Sequence, residues 1–295
     1  MIPGQFEYAR PASVAEALRI LKDHEGSAKV LSGGYSLLPL LKLRLAQPGL
    51  LVDIRDLDGM DGIVETDDDL RIGGRTTHAQ LAADSRIATR YPLLHDAASG
   101  IGDPQVRNWG TIGGSCAHAD PSSDWPAVLL ATRATIVCRS ESGERTIAAR
   151  DFFLDTFQTA IEPTELLTEI RIPRTSAGRA GAYEKLERRA GDFATVGAAV
   201  QLAIGADGRI SAAGVALTAV AETPFAATGA EAALVGQAPS EAVFRAAGEA
   251  ASAQSRPATD SHGPAAYKRA MAVEITVRAL RRAVERSMAG SPSHR

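Results

Sequence analysis

Residues 31–44 read LSGGYSLLPLLKLR: an apolar run arrives at two adjacent glycines, Gly33 and Gly34, and leaves as a leucine-rich stretch carrying Lys42 and Arg44. A glycine pair marks either a tight turn or backbone that must lie bare against something. The pattern returns at 111–115, TIGGS, again an apolar approach to a glycine pair. Without side chains, consecutive backbone N–H groups can converge on an anion, and a following helix N-terminus adds positive potential. Ser32, Ser36, Thr111 and Ser115 set hydroxyls beside those amides. Two strand-to-glycine turns able to grip a diphosphate from both sides are one expectation; two plain tight turns are the other.

Around this stretch the chain alternates short strands and helices. Ser13-Val14-Ala15-Glu16 fits a capping box for a helix that sets Val14, Leu18 and Leu21 on one face and ends near Gly26. AKVLS (28–32) is a strand running into Gly33, followed by strands LLVDI (50–54) and LRIGG (70–74), and Thr77 to Gln80 forms a second capping box. A helix starts near Asp124 or Trp125, and strands TIVCR (135–139) and LLTEIRIP (166–173) complete the first half. RTSAGRAGA (174–182) reads as a linker. Beyond it, the small-residue strands ATVGAAVQLAI (194–204) and ISAAGVALTAV (210–220) are joined at GADGR, a hairpin signal, and helices follow near 226–235, 239–252 and 264–288. Strands followed by helices predict an α+β second domain.

Composition excludes several functions. A net charge of −3 over 295 residues, with the signs mixed, disfavours a nucleic-acid binder. No apolar run reaches the roughly 18 residues that span a bilayer, and the N-terminus lacks the layout of a signal peptide, so a cytoplasmic protein is expected. The two cysteines, Cys116 and Cys138, make a disulfide framework improbable and fall short of the roughly four ligands of an iron–sulfur cluster. Redox chemistry would need an organic cofactor. Neither G-x-G-x-x-G nor a P-loop is present, which disfavours Rossmann and P-loop folds.

Two further stretches carry chemistry. AHADPSSDWPAVLLA (117–131) holds His118, Asp120 and Asp124; the aspartates either shape a turn and a helix cap or accept a hydrogen bond from a ribose or sugar-alcohol hydroxyl, and His118 reads as structural. KLERRAGDFATVG (185–197) sets Lys185, Arg188, Arg189, Asp192 and Phe193 just after the linker, where ligand sites tend to fall.

Taken in order, these motifs resemble a known family, the FAD-binding medium subunit of the molybdenum hydroxylases, the group of carbon monoxide, xanthine, nicotine and aldehyde dehydrogenases. SGGYSLLPLLKLRLAQPGLLVDI (32–54) is similar to the family's first flavin loop, A-G-G-x-S-L-x-P-x-x-K-x-R, and QVRNWGTIGGSCAHADPSSDWPAVLLA (105–131) to its second. ELLTEIRIP, YEKLERRAGDFA and PAAYKRAMAVEITVRAL resemble later segments.

The resemblance implies an α+β fold with a two-part FAD-binding domain of the vanillyl-alcohol-oxidase/PCMH-like kind over 1–175 (parts about 1–56 and 57–175). A smaller α/β domain of the CO dehydrogenase flavoprotein type would follow over 180–288. It places the FAD diphosphate between Ser32, Gly33, Gly34, Tyr35, Ser36 and Thr111, Ile112, Gly113, Gly114, Ser115, so that Gly33 and Gly34 are bare because the diphosphate rests on them. Asp124 and Lys185 match FAD contacts, Leu167 an apolar contact, and Asp192 and Phe193 the segment against the isoalloxazine ring. Ser32, Tyr35 and Phe193 depart from the usual alanine, glutamine or histidine, and tyrosine. No catalytic or metal-ligating residue is implied on this chain. The implied partners are a small subunit with two [2Fe-2S] clusters and a large molybdopterin subunit, in a dimer of heterotrimers. A free-standing FAD-dependent oxidoreductase of the same fold, and an assembly protein that has lost FAD, are the competing readings.

Overall fold

The computed structural model describes residues 2–174 and 179–289; residues 175–178 of the expected linker lie outside them. The chain begins β1 (Glu7–Ala9), α1 (Val14–Asp23), β2 (Ala28–Leu31), α2 (Leu37–Lys42) and β3 (Leu50–Asp53). Each pair of strands is separated by a helix, so the chain returns in the same direction and all pairing is parallel, with β3 between β1 and β2. The carboxyl ends of the three strands therefore share one edge, from which Arg10, Ser32 and Ile54 depart. The Ser13 hydroxyl accepts the Glu16 N–H, as the sequence predicts. α1 buries Ala17, Leu18 and Leu21 against Val52, Ile54, Leu57 and Met60.

The next part comprises β4 (Ile63–Glu65), β5 (Asp69–Gly73), α3 (His78–Ala83), α4 (Ser85–Arg90), α5 (Pro92–Gly100), α6 (Pro104–Trp109), α7 (Ile112–His118), α8 (Asp124–Thr132), β6 (Thr135–Ser140), β7 (Gly143–Ala148), β8 (Phe153–Asp155), β9 (Gln158–Thr159) and β10 (Leu166–Pro173). A five-stranded antiparallel sheet, in the order β4-β5-β10-β6-β7, carries the helices. α8 is buried along its whole length, and its Trp125 sits in a core with Leu81, Leu94, Ile112 and Ile170.

β11 (Arg179–Leu186), β12 (Val196–Ile204), β13 (Ile210–Thr218) and β14 (Phe225–Ala226) form an antiparallel sheet, followed by α9 (Thr228–Leu234), α10 (Glu241–Gln254) and α11 (Ala265–Ala289). Its small residues have a packing cause, because both faces are covered. Tyr183, Ala199 and Ala216 join the core of α5 and α8, while Ala182, Val200, Val215 and Leu217 face α9, α10 and α11. A Cβ on Gly214 would stand 1.9 Å from the Ala131 carbonyl oxygen, so α8 touches β13 backbone to backbone. The linker expected over 174–182 is corrected at its end: Arg179 to Ala182 already belong to β11. A run of glycine and alanine reads as a linker but here lets a strand lie close to α5, and a Cβ on Gly181 would be 2.9 Å from the Leu93 Cβ.

Charge locks this sheet and α11 to α5. The Asp96 carboxylate, nearly buried, accepts from Arg282 at 2.5 Å, from Arg286 at 2.7 and 2.9 Å, and from the Tyr183 N–H at 3.1 Å. Asp96→Ala leaves Arg286 without its counter-ion, while Arg282 keeps only Glu184, at 2.6 Å. Because those arginines keep some water contact, the expected loss of stability is about 2–3 kcal/mol, below the full cost of breaking a buried pair. Urea unfolding of the full chain measures it, and an unchanged midpoint would contradict the clasp.

Candidate functional site

The loop Ser32–Ser36 leaves the carboxyl edge of the parallel sheet, where ligands of α/β sheets generally bind. Among the described residues, none of the backbone N–H groups of Ser32 to Ser36 donates to a protein acceptor. Gly34 has φ +79°, a conformation that other residues rarely adopt. Its neighbour Gly33 is bare for a different reason: a Cβ there would lie 2.0 Å from the carbonyl oxygen of Trp109. The expectation that a ligand alone explains this glycine is incomplete, because protein backbone already requires it.

The second loop differs from the first. What reads as a strand before TIGGS is the helix α6, and Gly113 and Gly114 stand in the first turn of α7, capped by Thr111. Its amides are largely engaged. Ile112 donates to Thr76 O, Gly113 to Gly74 O, Gly114 to the Thr111 hydroxyl and Ser115 to Thr111 O. Gly113 exists for packing, since its Cβ would lie 2.5 Å from Gly74 O; a Cβ on Gly74 would in turn lie 2.5 Å from the Leu167 carbonyl oxygen. Leu167 thus closes the base of a stack of three bare backbones. Gly73-Gly74 is a third glycine pair, which the sequence reading placed only in a strand. The expected symmetric grip is corrected accordingly: free amides come from 32–36, while 111–115 offers mainly the Thr111 N–H and the Ser115 hydroxyl.

The two loops nevertheless meet, with the Ser32 and Thr111 hydroxyls 3.0 Å apart. Tyr35 is partly exposed at the first loop, and the Ile112 side chain is core.

His78 pins the turn between α6 and α7. Its backbone N–H donates to Gly110 O, and a Cβ on Gly110 would lie 2.8 Å from its ring. The Trp125 indole N–H donates to His78 Nδ1 at 3.1 Å, which leaves the ring proton on Nε2. Burial, with a contribution from nearby Arg107, lowers the His78 pKa from 6.5 to about 3.

Asp124 and Lys185 come together at the junction with β11. The Asp124 carboxylate accepts from the Tyr183 hydroxyl at 2.5 Å and lies 3.6 Å from Lys185 Nζ. Burial pushes the Asp124 carboxyl up, opposed by Lys185 and Tyr183. Lys185 Nζ donates to Gly100 O at 2.8 Å and Asp192 O at 3.1 Å, and is ion-paired with Glu187 at 3.1 Å. Two of its hydrogen bonds thus go to backbone carbonyls, and its charge is flanked by the Glu187 and Asp124 carboxylates. Asp120 shapes a turn, accepting the Ser122 N–H, and His118 packs on Phe157.

Lys185 also holds the loop bearing Asp192 and Phe193. Gly191, with φ +84°, rides on Gly102, whose carbonyl carbon and oxygen a Cβ would meet at 2.9 Å. Asp192 accepts the Phe193 N–H, and the Phe193 ring is 49% exposed. α6 connects the two groups of residues, running from the Gly102 turn to Trp109, whose carbonyl meets Gly33. The helix itself, six residues long, spans about 9 Å. Sequence reading missed Gly74, His78, Gly102, Trp109 and Tyr183; only the glycines of LRIGG and of GIGD at 100–103 signalled any of them.

A family described as the FAD binding domain in molybdopterin dehydrogenase matches residues 4–175, and the CO dehydrogenase flavoprotein C-terminal domain matches residues 181–283. The chain belongs to the FAD-binding medium subunits of the molybdenum hydroxylases. The carbon monoxide dehydrogenase medium chain of Afipia carboxidovorans is 43% identical over 98% of this chain and 99% of that one. A solved carbon monoxide dehydrogenase from Hydrogenophaga pseudoflava, which lacks the Mo-pyranopterin moiety of its cofactor, contains a chain that superposes with a TM-score of 0.94 at 46% identity, covering 97% of this chain and 99% of that one. Quinoline 2-oxidoreductase from Pseudomonas putida 86 gives 0.91 at 34% identity, covering 98% and 100%. FAD is the cofactor of this medium subunit, and the residues present fit it: a bare ridge of unpaired amides and hydroxyls suits a diphosphate, and an exposed aromatic suits a flat ring.

The buried neutral His78 gives a pH test. Its folded pKa is depressed, so the unfolded chain takes up the proton first as pH falls. The stability it contributes is complete above about 6.5 and declines as pH drops toward 3, by about 2 kcal/mol at pH 5. His78→Gln is expected to flatten the wild-type stability profile across that window. Equal slopes in urea unfolding of the two proteins would contradict the assignment.

Proposed function

We propose that this subunit carries electrons within a larger enzyme. Substrate is oxidised at a molybdopterin centre on a large subunit, a small subunit passes the electrons on through [2Fe-2S] clusters, and this chain delivers them to an external acceptor in the cytoplasm. The oligomer is a dimer of heterotrimers. Bound FAD supplies the redox chemistry, and the protein contributes position and electrostatics.

In this reading Ser32 to Ser36 hold the diphosphate with their amides and hydroxyls, aided by Thr111 and Ser115. Ile112, Gly113 and Gly114 fix the second loop in place, and Leu167 supports it from below. Asp192 and Phe193 lie along the ring. Asp124 and Lys185 bind at the junction, Lys185 by holding the Asp192 loop. The FAD-binding part spans 1–175 in two pieces, about 1–56 and 57–175, and the C-terminal domain spans 180–288. The observation that carries the reading is that one short helix, α6, ties both ligand-facing groups to the same frame: the free-amide loop through Trp109 O at Gly33, and the Asp192–Phe193 loop through Gly102 at Gly191. With two cysteines in the chain, both buried, the cluster ligands come from another subunit. Relatives named for carbon monoxide and for quinoline share this chain's fold, which supports a substrate chosen elsewhere in the complex.

The isolated full chain should bind FAD and be bleached by dithionite, yet stay yellow with carbon monoxide, aldehydes, purines or N-heterocycles. Co-expressed with its small and large subunits, the same flavin should bleach when the correct substrate is added. Turnover of any of these by the isolated chain would establish a free-standing oxidoreductase instead.

A further inference from the structure

The second loop spends most of its amides on the protein, and the Lys185 charge is turned inward, bonded to two backbone carbonyls and paired with Asp124 and Glu187. A diphosphate on loop 32–36 would then meet N–H dipoles but, from these groups, no full positive charge. The carboxyl edge of the parallel sheet supplies one. Arg55 stands two residues past the end of β3, and the intervening Ile54 N–H bonds Leu31 O at 3.0 Å, which sets Arg55 near the start of the loop.

Its guanidinium is held from two sides. Asp53, fully buried, accepts the Arg55 backbone N–H on Oδ1 at 3.0 Å and Arg55 Nε on Oδ2 at 2.7 Å, and the Tyr8 hydroxyl fixes the same Oδ2 at 2.6 Å. Arg55 Cζ stands 5.8 Å from the centre of the Trp109 ring. Trp109 is the residue whose carbonyl occupies the space beside Gly33. The Nη groups of Arg55 have no protein acceptor among the described residues, and the side chain is 42% exposed. Arg10, the other arginine at this edge, is paired with Asp56. An arginine with its Nε tied to a buried carboxylate, its face against an aromatic ring and its two Nη groups free is pre-organised for phosphate oxygens.

We infer that Arg55 is a further FAD-binding residue, supplying the positive charge that faces the diphosphate on loop 32–36. This rests on the assignment of that loop to the diphosphate.

The test titrates deflavinated full-length chain with FAD, with ADP as a competitor, and with riboflavin, which has no phosphate. Arg55→Gln should raise the FAD dissociation constant about 30-fold, as loss of a charged hydrogen-bond donor implies, and make it less sensitive to salt. ADP should lose affinity by a similar factor, and riboflavin should bind both proteins alike. Arg55→Lys, which keeps the charge but not the fork, should regain the salt dependence and part of the affinity. Wild-type FAD and ADP affinities in Arg55→Gln would overturn the inference and leave Arg55 a surface strut. An equal loss for riboflavin would also overturn it, by showing a general collapse of the site. Ser36→Pro separates the parent reading, because it deletes an N–H that no protein group uses at a residue with φ −93°. If Ser36→Pro keeps full FAD affinity, the loop assignment fails; if it weakens FAD while Arg55→Gln does not, only Arg55 is removed.

Discussion

The site is organised by a contact in which no side chain takes part. The Trp109 carbonyl enters the space that a Cβ would fill at Gly33, and by doing so joins the first parallel sheet to the helices of the following part. The hydroxyls of Ser32 and Thr111 then come within hydrogen-bond distance, although 79 residues separate them. Backbone-on-backbone contacts of this kind have little room to adjust, because neither partner can change rotamer. Gly113 on Gly74, Gly74 on Leu167 and Gly191 on Gly102 repeat the device. The result is a rigid frame along which the amides of 32–36 face outward.

Polar groups divide into those the frame consumes and those it leaves free. His78, Asp124, Tyr183 and Lys185 are inward-facing, each satisfied by a neighbour from a different element, and they determine where loops lie. The amides of Ser32 to Ser36, the Arg55 guanidinium and the Phe193 ring face outward. A cofactor subunit whose chemistry resides in the bound group has this arrangement for a physical reason. The protein must hold a large dinucleotide at fixed geometry, and interior hydrogen bonds to charged groups resist displacement more than exposed ones do.

Much of the fold was legible in local sequence. Capping at Ser13 and Thr77, the hairpin at GADGR, and the strands at 50–54 and 166–173 follow from short-range chemistry that the tertiary structure leaves intact. The errors arose where long-range packing sets the residue type. Arg179 to Ala182 resembled a linker because α5 demands small residues there, and 111–115 resembled a strand-to-glycine turn although Asp103 and Pro104 begin a helix that runs up to it. The site was partly legible. Ser32–Ser36 declared itself by its glycine pair, and the similar motif at 111–115 suggested an equal role that its engaged amides do not support. Trp109 and His78 carried no local signal, because each matters only through a partner distant in sequence.

The dissociation constant of FAD from Gly33→Ala tests the frame most directly. A methyl group 2.0 Å from the Trp109 carbonyl oxygen has to separate the two loops, so affinity should fall at least about tenfold, the equivalent of about 1.4 kcal/mol, while the far-ultraviolet circular dichroism stays that of the parent. Wild-type affinity in Gly33→Ala would contradict the dependence of the site on this contact.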